Sequence, residues 1–130
     1  MVEMFKALAD ENRLRIINIL MKEELCVCEI EVLLEMSQSN VSRHLAKLKS
    51  AGLILSSKDA QWIHYRFNET FARENPSMAE YLTTSCQKDE GLKRDSTRCS
   101  TYKRSRYDCQ DIRNDKEMVM NYIRETMGGK

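Results

Sequence analysis

Residues 37–49 have the sequence SQSNVSRHLAKLK, and the apolar residues in it have helical spacing. Val41, Leu45 and Leu48 lie four and three residues apart, so they share one helical face and would pack against a core. The segment begins with serine, a common N-cap residue, and Gly52 follows at a position where helices often end. We therefore predict an amphipathic helix over this segment.

The opposite face of this predicted helix is polar and basic and carries no carboxylate. Short polar side chains let a helix approach the major groove closely, and the N-terminal part of such a helix usually contacts base edges. Lysines farther along more often contact phosphates. The alternative is an ordinary solvated helix surface. The predicted base-edge residues are Gln38, Ser39, Ser42 and Arg43, and the other predicted DNA contacts of the helix are Asn40, His44, Lys47 and Lys49.

Two strand-like runs follow Gly52. Leu53–Leu55 is the first, and Trp62–Phe67 is the second, in which apolar and polar side chains alternate. The six residues between the runs are polar and typical of a turn. Short helices followed by a two-stranded hairpin predict a winged helix-turn-helix, which is a mainly helical α+β fold with the hairpin as its wing. The predicted DNA contacts of the wing are Lys58, Gln61, His64 and Arg66.

The other parts of the N-terminal half are also predicted to be helical. Two short helices come first, and Leu25–Glu35 is predicted to form a third. A further helix is expected after Pro76, and its apolar side would mediate dimerisation. The residues expected on that side are Met78, Tyr81, Leu82 and Cys86.

The C-terminal part has a different character. From Asp89 to about Lys116 the chain is very polar and has few apolar anchors, which predicts a loose or conditionally ordered segment. A last helix is predicted over Glu117–Met127. We therefore divide the chain into a DNA-binding and dimerisation domain, residues 1–88, and a polar extension that contains cysteines, residues 89–130.

Charge and composition limit the classes of function that we expect for this protein. The net charge is only +1, but residues 37–67 hold five Lys or Arg against one acid, whereas residues 1–36 hold four against eight. This local basic excess is typical of a DNA-contact surface. The sequence has neither a long apolar run nor a signal-peptide pattern, so we expect no membrane contact and a cytoplasmic location. It has no glycine-rich phosphate loop, nucleophile–base pair or metalloprotease motif, so we expect no enzyme, small-molecule substrate or intrinsic cofactor.

Five motifs occur in order within residues 5–67. They are FKALAD (5–10), RLRI (13–16), ELCVCEI (24–30), SQSNVSRHL (37–45) and QWIHYR (61–66). This series resembles the ArsR/SmtB family of metal-sensing winged-helix repressors, of the arsenical-resistance operon type. The resemblance implies a homodimer that binds double-stranded operator DNA, represses transcription without the ion, and loses DNA affinity when the ion binds.

The hairpin turn departs from that family. Its members often have Asp-Gly at this position, whereas this chain has Asp59-Ala60. A positive φ is costly for alanine. We therefore expect a turn of another type or a longer loop.

Cys26 and Cys28 lie where the third helix is predicted to begin. A helix N-terminus lowers the pKa of a thiol, and thiolates bind soft ions. Resemblance to the family's cysteine-type sensors points first to trivalent arsenic or antimony as the inducer, and then to cadmium or lead. Side chains two residues apart diverge by about 200° in a regular helix, so an ion held by both would strain the first turn. The alternative is that both cysteines are small buried apolar residues.

The sequence leaves the third ligand undecided among Cys86, Cys99 and Cys109. Trivalent arsenic favours three thiolates, and one of these cysteines could fold back to supply the third, or the three could form a second site. Cys86 is expected in the apolar side of its helix, whereas Cys99 and Cys109 lie in polar sequence where burial is not expected. A site with two thiolates would suit an organoarsenical, in which carbon occupies one valence. No histidine follows His64, which disfavours the family's zinc site.

Two other functions compete with ion sensing on this fold. A thiol redox sensor would change its DNA affinity when a disulfide forms, and the pairs Cys86–Cys99 and Cys99–Cys109 are the candidates. A disulfide within the Cys26–Cys28 pair would close a very small, strained ring. A winged helix can also serve protein contacts, but the basic face without acids argues against that use.

Overall fold

The computed structural model describes residues 1–128, and within them the chain forms nine helices and three short strands. The helices are α1 (Val2–Leu8), α2 (Glu11–Leu20), α3 (Val27–Leu34), α4 (Gln38–Ser50), α5 (Glu69–Glu74), α6 (Pro76–Lys88), α7 (Glu90–Arg104), α8 (Cys109–Asn114) and α9 (Lys116–Gly128). The strands are β1 (Leu25–Cys26), β2 (Ile54–Asp59) and β3 (Trp62–Phe67).

Helices α3 and α4 form the helix-turn-helix, and the prediction for α4 is confirmed. The Ser37 hydroxyl accepts a hydrogen bond from the backbone N–H of Asn40 at 3.3 Å and so caps the helix. The side chains at the three predicted core positions of α4 are buried against the rest of the core. Gly52 has a φ of +81°, which glycine adopts without strain, and it turns the chain from α4 into the wing. The mainly helical winged fold predicted from the sequence is therefore correct.

The sheet has three antiparallel strands in the order β1-β3-β2. Strand β1 is short and pairs Leu25 with Tyr65 and Cys26 with His64. The prediction that the third helix begins at Leu25 is wrong, because these two residues are used as an edge strand and the helix begins at Val27. The start of α3 is thereby attached to the wing.

The wing has a tight turn, contrary to expectation. Asp59 lies opposite Trp62, so only Ala60 and Gln61 connect the strands, and β2 extends over residues predicted to be loop. Ala60 adopts a φ of +57°. The expectation of a longer loop is wrong, because strand pairing leaves only a two-residue turn, and Ala60 adopts the positive φ that alanine was expected to avoid.

Ala60→Gly should stabilise the protein. Relief of left-handed strain, about 1–2 kcal/mol, exceeds the entropy that glycine adds to the unfolded chain, about 0.4–1 kcal/mol. We expect the free energy of unfolding to rise by about 0.5–1 kcal/mol in urea titration followed by circular dichroism. The control is Ala46→Gly in the exposed interior of α4, which should lower it by about 0.5–1 kcal/mol. An equal loss in both variants would show that the turn is not strained.

The segment after Asp89 is helical and joins the core, so the expectation of a loose segment is wrong. Helix α7 packs against α2, α3 and α6, and its Cys99 and Tyr102 are buried in the common core with Ile112 of α8. Two charged residues of α7 are also buried, because each has a partner in the N-terminal half. Asp95 accepts two hydrogen bonds from Arg15, at 2.8 and 3.1 Å, and Arg98 binds carbonyls of α3.

The last helix runs over Lys116–Gly128, close to the predicted Glu117–Met127. Its Val119, Met120 and Ile123 are buried. Residues 129 and 130 of the predicted extension lie outside the described residues. No helix in the described part of the chain combines the length and the apolar character needed to cross a membrane.

Candidate DNA-binding surface and thiol cluster

The outer face of α4 is exposed and basic. Apart from His44, the residues predicted to contact DNA from α4 are solvent-exposed. The Arg43 guanidinium donates a hydrogen bond to the Asn40 amide oxygen at 2.9 Å, which holds both side chains on the N-terminal half of that face. The exposed residues of this surface are Gln38, Ser39, Asn40, Ser42, Arg43, Lys47 and Lys49.

His44 is an exception, and its prediction as a DNA-facing residue is wrong. Only 3% of its surface is exposed. Its Nδ1 lies 3.3 Å from Nη1 of Arg13, and burial lowers the pKa of the ring. The position follows from helical geometry, because His44 comes three residues after Val41 and four before Leu48 and thus borders the core face. This spacing was available in the sequence.

The wing presents Lys58, Gln61 and Arg66 to solvent, whereas His64 is half-buried. The Gln61 amide donates a hydrogen bond to the side-chain oxygen of Gln110 on α8, at 3.5 Å. The wing is therefore in contact with the C-terminal helices as well as with β1.

Three cysteines meet at the start of α3. The Sγ atoms of Cys26, Cys28 and Cys109 all lie within 4.8 Å of one another. Cys26 and Cys109 are joined as a disulfide, and the Cys28 Sγ lies 3.1 Å from that of Cys26. Of the three cysteines considered as the third ligand, the structure brings Cys109 to the pair.

The N-terminal boundary of α3 explains why Cys26 and Cys28 converge. Cys26 is the N-cap and has extended backbone angles, φ −92° and ψ 171°, so it lies outside the helix. Its backbone N–H donates to a carboxylate oxygen of Glu29 at 2.9 Å, and the other oxygen of Glu29 accepts a hydrogen bond from the buried Tyr102 hydroxyl. The expected divergence of about 200° between the two side chains applies only if Cys26 and Cys28 are both helical. That premise does not hold for Cys26, so the structure gives no reason to expect a strained first turn on ion binding.

The surroundings of Cys28 raise the pKa of its thiol. Burial raises the pKa of the Cys28 thiol to about 11, and the nearby carboxylates of Glu29 and Glu31 act in the same direction. The expectation that the helix N-terminus lowers it is wrong here, because desolvation and two acids outweigh the helix dipole. Ion binding at Cys28 must therefore displace a proton.

The backbone spacing at the cluster is wide for a disulfide. The Cα atoms of Cys26 and Cys109 are 7.2 Å apart, whereas most disulfides span about 4.4–6.8 Å. Together with the thiol of Cys28, this spacing is compatible with an ion held between the sulfurs.

The remaining two cysteines are buried away from the cluster. Cys86 packs on the inner side of α6, as expected, and burial raises the pKa of its thiol. Cys99 is 1% exposed, and burial raises the pKa of its thiol to about 12. The expectation that Cys99 and Cys109 are exposed is wrong, because both lie on sides of helices that face the core. Neither of the disulfides considered from the sequence, Cys86–Cys99 and Cys99–Cys109, is formed, and both Cys86 and Cys99 are free thiols.

Helix α8 connects the cluster to its surroundings. The Arg113 guanidinium lies 5.4 Å from the centre of the Trp62 ring on the wing, a cation–π distance. At the start of α9, Lys116 forms an ion pair with Glu31 of α3 at 3.1 Å. These partners lie far apart in sequence, and no local pattern could have indicated them.

Comparison with known proteins places the chain among bacterial transcriptional regulators. Residues 10–56 match the family model described as bacterial regulatory protein, arsR family. The arsenical resistance operon repressor of Escherichia coli K12 is 47% identical over 68 residues, which are 52% of this chain and 58% of that protein. The cadmium resistance regulator CadC of Listeria innocua is 45% identical over 62 residues, 47% of this chain and 52% of that protein. This chain thus spans little more than half the length of these two relatives.

One relative is covered more fully. The transcriptional activator HlyU of Vibrio cholerae is 44% identical over 81 residues, 62% of this chain and 72% of that protein. A solved structure of HlyU superposes with a TM-score of 0.54 at 38% identity and covers 62% of this chain and 88% of that one. The homodimeric winged helix-turn-helix domain of Mb0332 from Mycobacterium bovis superposes with a TM-score of 0.51 at 29% identity and covers 62% and 80%.

Proposed function

Because the chain belongs to the arsR family of bacterial regulatory proteins, we propose that it is a transcriptional repressor that binds operator DNA as a homodimer and leaves it when trivalent arsenic binds Cys26, Cys28 and Cys109. The observation that carries this proposal is the convergence of three cysteine sulfurs at the start of α3, the helix that supports α4. DNA contact rests on the exposed basic face of α4.

The donor set favours arsenic. It consists of three sulfur atoms, and soft sulfur ligands select soft ions. One arsenite, As(OH)₃, reacts with three thiols to form three As–S bonds and three water molecules, so arsenic stays trivalent. The E. coli relative is named for arsenical resistance and the Listeria relative for cadmium resistance, and cadmium and lead are alternatives that the experiment below separates.

The position of the cluster suggests how ion binding reaches the DNA-binding surface. Cys26 belongs to β1, which pairs with the wing, Cys28 lies in α3, which packs against α4, and Cys109 begins α8, which contacts both α3 and the wing. An ion bonded to all three sulfurs would fix these elements relative to one another. We propose that this arrangement differs from the one that fits the operator.

Exposed apolar side chains favour dimerisation. Phe5 of α1 is 48% exposed and Tyr81 of α6 is 69% exposed, with Met1 and Val2 also in solvent. Dimerisation would bury these side chains, and a contiguous exposed apolar patch is typical of an interface. The domain of Mb0332 is described as homodimeric. We propose that α1 and α6 form the dimer contact.

The second candidate is a redox-sensing repressor on the same fold. The observation that favours it is the disulfide between Cys26 and Cys109, which joins the wing side of the fold to α8. Oxidation, in place of ion binding, would then alter DNA affinity.

Both candidates are tested by fluorescence anisotropy of the reduced full-length chain on labelled DNA from its own upstream region. The complex is titrated separately with arsenite, antimonite, cadmium, lead and peroxide. Release at close to one arsenite per chain supports the arsenic proposal, whereas release by cadmium or lead alone assigns a different inducer. Release only by peroxide, reversed by dithiothreitol, favours the redox function. Failure to bind DNA, or binding whose affinity does not fall steeply as salt rises, would overturn the repressor assignment.

A further inference from the structure

A cavity of about 490 Å³ opens beside the thiol cluster. Cys26 and Cys28 line it, whereas Cys109 does not. The rest of the lining is mixed: Trp62, Val27, Ile63 and Ile112 contribute apolar surface, and Glu31, Gln38, Gln61, Arg113 and Lys116 contribute polar groups. The space is too large to be explained by a single ion bonded to three adjacent sulfurs.

The chemistry of trivalent arsenic indicates what could fill this space. In a monosubstituted arsenical, RAs(OH)₂, one valence is an As–C bond, so only two thiols can react. Cys26 and Cys28 both line the cavity and their sulfurs are 3.1 Å apart, so reduction of the disulfide would provide two adjacent thiols there. Arsenic bonded to both would direct its organic group into the cavity.

The walls suit an aromatic group. Trp62 offers an aromatic ring, and Val27 and Ile112 offer aliphatic surface. Aromatic pairs gain stability beyond the burial of apolar area. Arg113 lies on the Trp62 ring and holds it at the cavity wall.

We propose that this cavity is a subsite for the aryl group of a trivalent arylarsenical bonded to Cys26 and Cys28. The proposal rests on the proposed function, because it uses the same cysteines. The reaction forms two As–S bonds and breaks two As–O bonds, and each thiol proton leaves with a hydroxyl as water. Arsenic keeps its oxidation state. The disulfide must first be reduced by a phosphine or thiol, which supplies two electrons, and Cys109 then remains a thiol.

Trp62 provides a direct readout, since it is the only tryptophan of the chain. The reduced full-length protein, kept in a phosphine, is titrated with 4-nitrophenylarsonous acid, methylarsonous acid and arsenite. A nitroaryl group in the subsite should quench most of the Trp62 emission, whereas the methyl compound should quench little. The aryl compound should also bind about tenfold more tightly than the methyl compound.

Two variants test the assignment. Trp62→Ala should bring the ratio of aryl to methyl affinity close to one, whereas the control Leu55→Ala, on β2 of the wing, should keep it. Cys109→Ala should weaken arsenite binding at least about tenfold more than arylarsenical binding, because only arsenite uses the third thiol. This second variant tests the two-thiol mode even where Trp62→Ala perturbs the wing.

The outcomes separate the two proposals. Equal affinity for the aryl and methyl compounds, or an unchanged preference in Trp62→Ala, would overturn the subsite while arsenite binding leaves the proposed function intact. Equal losses for arsenite and the arylarsenical in Cys109→Ala would overturn the two-thiol mode. Absence of binding by all three compounds would overturn the subsite and the arsenic sensor together.

Discussion

Replacing any one of Cys26, Cys28 and Cys109 by alanine should weaken arsenite binding to the reduced protein by about 100-fold, or about 2.7 kcal/mol. The three sulfurs are held within 4.8 Å of one another, so the third bond forms at a high effective concentration once two have formed. Loss of one thiol removes that advantage. Binding is measured by equilibrium dialysis with arsenic determination, and the consequence by release of labelled operator DNA.

The matched controls are Cys86→Ala and Cys99→Ala. Both thiols are buried in the core away from the cluster, so arsenite affinity should stay within about twofold of the original even where these variants lower stability. DNA binding without arsenite should persist in all five variants. If Cys109→Ala still released DNA at the original arsenite concentration, the third ligand would have to be another group.

Arg98→Ala should lower the free energy of unfolding by about 3 kcal/mol, the largest stability loss that we expect from a single polar side chain. Arg98 is buried and donates hydrogen bonds to the carbonyls of Leu33 at 2.7 Å and Val32 at 3.1 Å, at the end of α3. It also pairs with Glu35 at 3.4 Å. Alanine would leave those buried carbonyls without a donor.

Arg124→Ala is the matched control, because Arg124 pairs with the same Glu35 at 3.0 Å but is about half exposed. Exposed ion pairs contribute little, so the loss should be below about 1 kcal/mol. Both variants are compared by urea unfolding followed by Trp62 fluorescence. Similar small losses in the two would mean that Arg98 does not anchor α3, and that α7 contributes less to the fold than its packing indicates.

The winged helix could be predicted from the sequence because its signals are local. The apolar spacing in α4, the N-cap serine and Gly52 each report on the conformation of a few neighbouring residues. The prediction for His44 is wrong although the same spacing puts it beside the core. Not every polar residue of α4 faces outward, and the positions of Val41 and Leu48 place His44 at the border of the core face.

The C-terminal helices could not be predicted in the same way. Asp95 and Arg98 give α7 the composition of a solvated segment, yet both are buried because Arg15 and the carbonyls of α3 satisfy them. Those partners lie 65 or more residues away in the chain, so nothing local indicates them. A polar residue with a distant partner is indistinguishable in sequence from one in solvent.

The thiol cluster depends partly on local sequence signals and partly on contacts between residues that are distant in the chain. The Cys26–Cys28 pair was identifiable from its spacing and its position at a helix start, but its geometry depended on Cys26 lying outside the helix. The extended conformation of Cys26 depends on its pairing with the wing residue His64 and on its hydrogen bond to Glu29. The proximity of Cys109 to this pair depends on the packing of α8. From the sequence, Cys109 was therefore only one of three candidates for the third ligand.

Cys26 and Cys109 are 83 positions apart in the chain, and this separation also has a consequence for the lifetime of the protein. A cross-link over a loop of this length lowers the entropy of the unfolded chain and can stabilise a fold by about 4 kcal/mol. A disulfide and a shared ion both close this loop. Under the proposed function, DNA would stabilise the chain on its operator, and the cross-link would stabilise the chain that arsenic has released. Release would thus not leave a marginally stable chain open to proteolysis, and the same molecules could return to the operator once the ion is removed.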